Sequence, residues 1–240
     1  MGNIDLAFAQ LATALNAAGA AGAASLVAPE AFLPGYNHGF IAELAQNQTG
    51  DWHNRLAALC RHANCGLVAG YAQRDGASVY NAAVAFDADG SEIAHYRKIQ
   101  LYGPREAAIY TPGNAYTTFD LNGTKAALLI CYDIEFAPHV AALADMGTKI
   151  ILVPTANMHP FTHVVAHTVP AMAANYGVSI AYANYCGEEG DLTYVGGSLI
   201  AGPHGEVLAQ AGTGPALLIV ELPKADPARL STQALDFRQL

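Results

Sequence analysis

The sequence predicts an α/β protein in which helices and strands alternate along one domain spanning residues 1–240. Helix-type and strand-type hydrophobic patterns follow one another along the whole chain, and no linker or repeat interrupts them. A chain of 240 residues is long enough to bury the core of one large sandwich. With 52% hydrophobic and 13% charged residues, the composition indicates tight packing or surface that is buried between copies of the chain.

The predicted elements follow in order from the amino terminus. The first helix is indicated by a hydrophobic stripe with helical spacing, made of Ile4, Phe8, Leu11 and Leu15. Asp51 is a candidate cap for a second helix, whose apolar face contains Trp52. The patterns then predict helices at about 135–146 and 163–176, and strands at 25–30, 66–71, 79–86, 91–98, 117–121, 124–130, 150–153, 178–183 and from 194 onward.

Three of these strands end on a side chain that can take part in catalysis. The first strand runs into Glu30, the strand 91–98 ends on Lys98, and the apolar run 126–130 stops at Cys131. Open α/β sheets bind ligands at the carboxyl ends of their strands, and an unpaired buried carboxylate is costly. We therefore expect the three side chains to meet in one pocket.

Cys131 could be either a nucleophile or a core residue. An isolated Cys in an apolar run is more often buried and inert. At a strand end that turns into a helix, however, the sulfur would lie beside free backbone N–H groups and the positive end of that helix. Such groups favour a thiolate and a developing oxyanion. The upstream Glu30 and Lys98 favour the nucleophile.

The order Glu, Lys, Cys resembles the catalytic set of the carbon–nitrogen hydrolase (nitrilase) superfamily. The motifs that carry the resemblance run from about residue 3 to 221: Pro29-Glu30, Tyr96-Arg97-Lys98, Tyr110-Thr111-Pro112-Gly113, Ile130-Cys131-Tyr132-Asp133, Val153-Pro154-Thr155-Ala156, Tyr182-Ala183-Asn184 and Gly196-Gly197-Ser198. The Cys-Tyr-Asp motif is more similar to the amidase branch than to nitrilases, which commonly have Cys-Trp-Glu. The resemblance implies a four-layer α-β-β-α sandwich and a homodimer or higher homo-oligomer.

The resemblance also implies a cysteine-dependent hydrolase that converts a small amide to a carboxylic acid and ammonia through a thioester. Cys131 would be the nucleophile, Glu30 would carry the proton, and Lys98 with the backbone N–H of Tyr132 would stabilise the oxyanion. Glu106 lies eight residues after the lysine, like the family's second glutamate, and is expected to orient the lysine or the substrate nitrogen. The expected substrate-pocket residues, each equally compatible with plain packing, are Tyr36, Phe136, Asn157 and Met158.

The chain departs from the family pattern at three places. The family's first strand is expected to be missing, because the chain reaches its first helix at Ile4. Ala107 stands where the family often has an arginine, and the segment 170–176 lacks the usual Arg and Glu. We expect these changes to affect stability and substrate range more than chemistry.

The composition restricts the expected partners. A net charge of −9 argues against nucleic acid and anionic membranes. No apolar stretch approaches the roughly 20 residues that span a bilayer, and the start lacks the basic region of a signal peptide. A thiol nucleophile among only four cysteines indicates the cytoplasm. We expect a small-molecule amide or nitrile as substrate, with no cofactor and no metal.

Several alternatives stay open at this point. A nitrilase or an N-carbamoyl amidohydrolase would use the same residues. A metal-dependent hydrolase could use His159, His163 and His167, which recur every four residues. An inactive scaffold homologue is the third possibility, against which the intact Glu30, Lys98, Cys131 and Glu106 argue.

Overall fold

A computed structural model describes residues 3–238. Its helices are α1 (Ile4–Ala20), α2 (Ile41–Leu44), α3 (Asp51–Ala63), α4 (Gly103–Ile109), α5 (Ala137–Asp145), α6 (Val169–Tyr176) and α7 (Gln233–Asp236). Its strands are β1 (Ser25–Val27), β2 (Gly66–Asp75), β3 (Ser78–Phe86), β4 (Glu92–Arg97), β5 (Thr118–Leu121), β6 (Thr124–Leu128), β7 (Ile150–Thr155), β8 (Ser179–Asn184), β9 (Cys186–Glu189), β10 (Leu192–Val195), β11 (Leu199–Ala201) and β12 (Val207–Gln210).

The strands form two main sheets. The first sheet has the order β1-β2-β3-β4, the second has the order β12-β11-β8-β7-β6-β5, and β9 and β10 form a separate hairpin. Strands β6, β7 and β8 are parallel to one another, and β1 is parallel to β2. The second sheet therefore contains three neighbouring strands whose carboxyl ends point the same way.

Three apolar contact layers hold the sheets and helices together. On the outer face of the first sheet, α1 and α3 pack through Leu15 and Leu56 against Leu67 of β2. The inner faces of the two sheets meet in one core, which includes Val68 of β2 and Leu152 of β7. The same core extends to α5 and α6 on the far side of the second sheet. The predicted four-layer α-β-β-α sandwich is confirmed.

Local sequence explains where the first helices begin and end. The Asn3 side chain accepts a hydrogen bond from the Leu6 N–H at 3.0 Å and caps α1. Asp51 is the first residue of α3 and not its cap, a position where its charge still suits the positive helix end. Helix α3 stops at Asn64, which adopts a left-handed conformation with φ of 49°.

Strand β1 is an open edge of the first sheet. It pairs with β2 on one side, and within residues 3–238 no strand precedes α1 or pairs with the other side of β1. A cavity of about 640 Å³ beside β1 is lined by residues of α1, β1, β8 and the segment 214–222. Among the described residues, β1 is therefore paired on one side only, next to a mainly apolar cavity.

The structure tests two predicted helices and the prediction that no segment spans a membrane. The helix predicted at 135–146 begins at Ala137, because Cys131–Glu135 forms a separate 3₁₀ turn before it. The helix predicted at 163–176 contains a π-helical turn, Val164–Thr168, ahead of α6. Among the described residues, no helix is both long enough and apolar enough to cross a membrane.

Candidate active site

The three predicted catalytic side chains come from three strand ends. Glu30 lies three residues after β1, Lys98 directly follows β4, and Cys131 lies three residues after β6. The backbone N–H of Glu30 donates to the carbonyl of Thr155 at 3.3 Å, which links the end of β1 to the end of β7. Because these strand ends meet, residues about 100 positions apart share one buried site.

A close backbone approach sets the position of Glu30. A Cβ atom on Gly70 of β2 would lie 2.4 Å from the amide nitrogen of Ala31 and 2.7 Å from the Glu30 Cα. Only glycine permits this approach without displacing the segment. The Glu30 segment therefore rests directly on the backbone of β2.

Lys98 forms the centre of the site. Its Nζ lies 2.6 Å from Oε1 of Glu30 and 2.8 Å from Oε1 of Glu106. Lys98 and Glu30 are fully buried, and Glu106 is 2% exposed. The Asn81 side chain donates a further hydrogen bond to Oε1 of Glu30 at 2.7 Å. One ammonium group thus holds two buried carboxylates in a fixed geometry.

The second carboxylate is held from two sides. The Tyr36 hydroxyl donates to Oε1 of Glu106 at 2.7 Å, and the Tyr102 N–H donates to Oε2 at 2.9 Å. Glu106 lies in α4, eight residues after Lys98. The structure therefore places Glu106 where it orients the Lys98 ammonium.

Burial, and the presence of two carboxylates around one ammonium group, shift the pKa values of Glu30 and Lys98. Burial raises the pKa of Glu30 to about 7, Lys98 acts to lower it, and Glu106 adds to the increase. Burial alone would lower the pKa of Lys98, but Glu30 and Glu106 raise it well above its usual value. Lys98 consequently stays charged, while Glu30 can gain or lose a proton near neutral pH.

Cys131 occupies a strained backbone position at the start of the 3₁₀ turn. Its φ is 47°, in the left-handed region that non-glycine residues rarely adopt. The Tyr132 N–H follows it in the first turn, where N–H groups have no acceptor within the helix. This N–H group can therefore donate to an oxyanion formed beside the sulfur.

The structure differs from the sequence expectation on the charge of the thiol. Burial and the negative charge of Glu30 raise the pKa of the Cys131 thiol well above its usual value, against the lowering effect of Lys98, Thr155 and Ala156. A five-residue turn supplies too little dipole to reverse this. The resting thiol is protonated and needs a base.

The four expected pocket residues make different kinds of contact. Tyr36 binds Glu106 as described above, and Phe136 packs edge-on against the ring of Tyr132 with centroids 4.9 Å apart. The Asn157 side chain donates to the carbonyl of Phe161 at 3.1 Å. Met158 pairs with Tyr194 through an isolated antiparallel bridge. That any of these residues binds substrate stays a prediction.

A row of aromatic rings lies next to the turn that carries Cys131. The half-buried ring of Tyr102 packs edge-on against Tyr132 at 5.4 Å and against Phe161 at 5.7 Å. Phe136 continues this row through its contact with Tyr132.

Sequence reasoning missed two polar partners of the predicted catalytic residues. Asn81 binds Glu30, and Asp133 binds the backbone around Lys98 and Cys131. A signal for Asn81 was present, since it is the polar residue in the otherwise apolar run 79–86. Asp133 belongs to the Cys-Tyr-Asp motif, but the sequence around it does not indicate which residues it binds.

The three histidines considered for a metal-dependent hydrolase form no hydrogen bond with Glu30, Lys98, Glu106 or Cys131. His159, His163 and His167 are all exposed and lie in a loop, at a helix start and in the π-helical turn, respectively. Within residues 3–238, no group of three or more His, Cys, Asp or Glu side chains could hold a metal ion.

Comparison with known proteins places the chain in a family. The family model described as carbon-nitrogen hydrolase matches residues 4–230. A hydrolase encoded in the pqqF 5′ region of Pseudomonas protegens is 42% identical over 81% of this chain and 70% of its own length. An (R)-stereoselective amidase from a Pseudomonas species is 33% identical over 82% of this chain and 72% of its own length.

A solved structure shows the same fold with a modified cysteine. It is a variant of the amidase from Nesterenkonia sp. AN1, described as showing Michael addition of acrylamide at the active site cysteine. The TM-score is 0.86 with 35% sequence identity, and the match covers 95% of this chain and 88% of that chain. These matches confirm the family, the fold and the hydrolase class predicted from the sequence. This chain belongs to the carbon–nitrogen hydrolase family.

Proposed function

We propose that this chain hydrolyses a small amide to a carboxylic acid and ammonia, with Cys131, Glu30 and Lys98 as catalytic residues and Glu106 as support. The class of reaction, cysteine-dependent amide hydrolysis, is confirmed by the likeness to amidases, one of which carries an adduct on its active-site cysteine. The observation that carries the residue assignment is the buried Lys98 ammonium bound to both carboxylates beside the thiol.

Glu30 is the base that activates the thiol. Its Oε1 binds Lys98 and Asn81, whereas its buried Oε2 has no hydrogen-bond partner among the described residues. This oxygen is free to take the thiol proton while the sulfur attacks the carbonyl carbon. The pKa of Glu30, at about 7, suits both accepting and returning a proton.

Negative charge then develops on the carbonyl oxygen. The Tyr132 N–H and the Lys98 ammonium stabilise it, and the raised pKa of Lys98 keeps its proton in place. Glu30 passes the thiol proton to the leaving nitrogen, the carbon–nitrogen bond breaks, and ammonia departs. The acyl group remains on Cys131 as a thioester.

Water completes the cycle at the same residues. Glu30 takes a proton from water as the hydroxyl group bonds to the thioester carbon, and the carbon–sulfur bond then breaks. The proton returns to the sulfur of Cys131, and the carboxylic acid leaves. Both halves of the reaction use one acid–base residue and the same oxyanion donors.

The test is to capture the acyl-enzyme. Purified protein is mixed with a panel of short amides and nitriles and an N-carbamoyl amine, ammonia release is measured, and rapidly quenched samples are analysed by intact mass and peptide mapping. We expect an acyl adduct on Cys131 with amides. An adduct on Cys186, or turnover that iodoacetamide does not block, would refute the assignment.

The panel also separates the alternatives within the family. A nitrilase would release ammonia from the nitriles, and an N-carbamoyl amidohydrolase would release carbon dioxide as well as ammonia from the carbamoyl compound. A preference for amides supports the proposal. Turnover that is fastest with nitriles or the carbamoyl compound would replace it with one of those activities.

The proposal includes a single domain, a cytoplasmic location and a homodimer. All four cysteines are free in the structure, which agrees with a reducing compartment. The large apolar side chains of Leu235 and Phe237 are 85% and 77% exposed, so a second copy could cover them. Light scattering measures the oligomer, and a monomer at micromolar concentration would refute the dimer.

A further inference from the structure

Asp133 is a buried carboxylate that binds two separate segments of the chain. Its side chain is fully buried. Oδ2 accepts hydrogen bonds from the Tyr96 hydroxyl at 2.8 Å and the Ile130 N–H at 3.0 Å. Oδ1 accepts a hydrogen bond from the Gln100 N–H at 2.7 Å. One side chain thus joins residues 96–100 to residues 130–133.

These two segments carry two of the proposed catalytic residues. Tyr96 and Gln100 lie two residues before and two residues after Lys98. Ile130 directly precedes Cys131. The carboxylate therefore binds the Tyr96 side chain and the Gln100 backbone on either side of Lys98, and the backbone of the residue before Cys131. It accepts no hydrogen bond from Lys98 or Cys131.

The strained conformation of Cys131 requires such support. A non-glycine residue with φ of 47° persists only where its surroundings hold it. The Asp133 N–H donates to the Ile130 carbonyl at 3.0 Å, while the Asp133 carboxylate accepts the Ile130 N–H. Asp133 therefore closes the turn around Cys131 through both backbone groups of Ile130.

We propose that Asp133 is a positioning residue that holds the Lys98 ammonium and the Cys131 thiol in register. This inference rests on the proposed function, because it assigns Asp133 a role in the same reaction. Lys98 and Cys131 follow strands of different sheets, since Lys98 comes directly after β4 and Cys131 comes three residues after β6. Asp133 contributes a direct polar link between those sheets at the point where the two residues must meet.

An ionised carboxylate satisfies all three contacts. Both backbone N–H groups can only donate, so each oxygen of Asp133 must accept. Asparagine has nearly the same shape but replaces one acceptor by an NH₂ group. In one orientation that group faces the Gln100 N–H, and in the other it faces the Ile130 N–H. Asp133→Asn therefore breaks the link at one of its two ends while preserving volume.

The first experiment is the Asp133→Asn variant, assayed with a short amide that the wild type turns over. Active sites are counted by stoichiometric alkylation with iodoacetamide, so that kcat is expressed per reactive thiol. We expect kcat to fall by about 10²-fold, because small misplacements at a reaction centre have effects of this size. KM should change by less than about threefold, since Asp133 does not contact the substrate.

A second pair of variants keeps the test decisive if Asp133→Asn does not fold. Tyr96→Phe removes one hydrogen bond of Asp133 and adds no clash. Its matched control is Tyr71→Phe, which removes another buried hydroxyl of the same sheet, bound to His95 at 3.1 Å. We expect Tyr96→Phe to lower kcat per reactive thiol by about threefold to tenfold, and Tyr71→Phe to leave it unchanged.

A purely structural role would give a different result. It would lower the yield of folded protein or the melting temperature without changing kcat per reactive thiol. The inference is overturned if folded Asp133→Asn retains the wild-type kcat. It is also overturned if Tyr96→Phe and Tyr71→Phe have the same kcat per reactive thiol. Failure of the proposed function would show in the wild type instead, as turnover that survives complete alkylation of Cys131.

Discussion

Replacing Lys98 by methionine is the most informative perturbation of this site. Methionine has a similar length and fills the same buried space, but it removes the charge between Glu30 and Glu106. Nζ lies 2.6 Å and 2.8 Å from the two carboxylate oxygens, so both carboxyl groups lose their nearest cation. The variant thus tests the electrostatic role of Lys98 with little change in packing.

The size of the effect follows from the burial of the three groups. At an effective dielectric constant of about 20, unit charges about 4 Å apart attract by about 4 kcal/mol, which is about 10³ in an equilibrium constant. Without Lys98, the pKa of Glu30 rises further above about 7, and the carboxyl group stays protonated at neutral pH. A protonated Glu30 cannot take the thiol proton.

The same substitution removes a donor to the oxyanion. Loss of one such donor lowers kcat by about 10²- to 10³-fold in other enzymes. The two losses do not add, because both act on one transition state. We therefore expect Lys98→Met to lower kcat by at least about 10³-fold, with the larger of the two effects setting the lower bound.

The assay is ammonia release from a short amide at saturating concentration, together with urea unfolding to verify the fold. Lys125→Met is the matched control, because Lys125 is an exposed lysine that donates to the Met146 carbonyl at 2.6 Å. A folded Lys98→Met variant with kcat within tenfold of wild type would refute the electrostatic role of Lys98. So would a defect confined to KM.

Four other outcomes are expected. Cys131→Ala should remove turnover with the fold intact, while Cys186→Ala stays active; residual hydrolysis by Cys131→Ala would eliminate the nucleophile. The specificity constant kcat/KM should rise with pH through a midpoint near 7, because only ionised Glu30 accepts the thiol proton. A specificity constant that does not change between pH 6 and 8 would contradict this. Asn81→Ala should move that midpoint to higher pH, because its bond to Glu30 lowers the pKa; a midpoint that stays or falls would exclude that role. Gly70→Ala should lower kcat at least about tenfold by displacing Glu30, and unchanged turnover would show that the segment can shift.

The locations of the proposed catalytic residues were predictable because strand ends are a local property. The run that became β4 ends at Arg97, and Lys98 follows it directly. The run that became β6 ends at Leu128, and extended residues continue to the turn at Cys131. Hydrophobic patterns of five to ten residues specify such elements, whatever their final neighbours.

The hydrogen-bond partners of these residues were not predictable. Tyr36 binds Glu106 from 70 positions away, Asn81 binds Glu30 from 51, and Tyr96 binds Asp133 from 37. No local pattern encodes a pair so distant along the chain. Tyr36 was therefore predicted as pocket lining, although its hydroxyl holds Glu106.

The charge state of Cys131 was also not predictable from the local sequence. A strand end followed by a helical pattern indicates a thiolate when it is considered alone. The folded protein buries that sulfur and brings Glu30 close, and both effects raise the pKa of the thiol. A pKa depends on the whole environment of a group, which a local pattern does not contain.

By itself, the sequence determined the family and the layered fold, because short patterns and motif order specify them. It also predicted the glutamate, lysine and cysteine that the structure brings together. The tertiary structure alone decided how these residues are charged and held, including the pairing of Lys98 with two carboxylates and the link through Asp133. The physical reason is that burial and long-range contacts control protonation and geometry, and both arise only once the sheets have packed together.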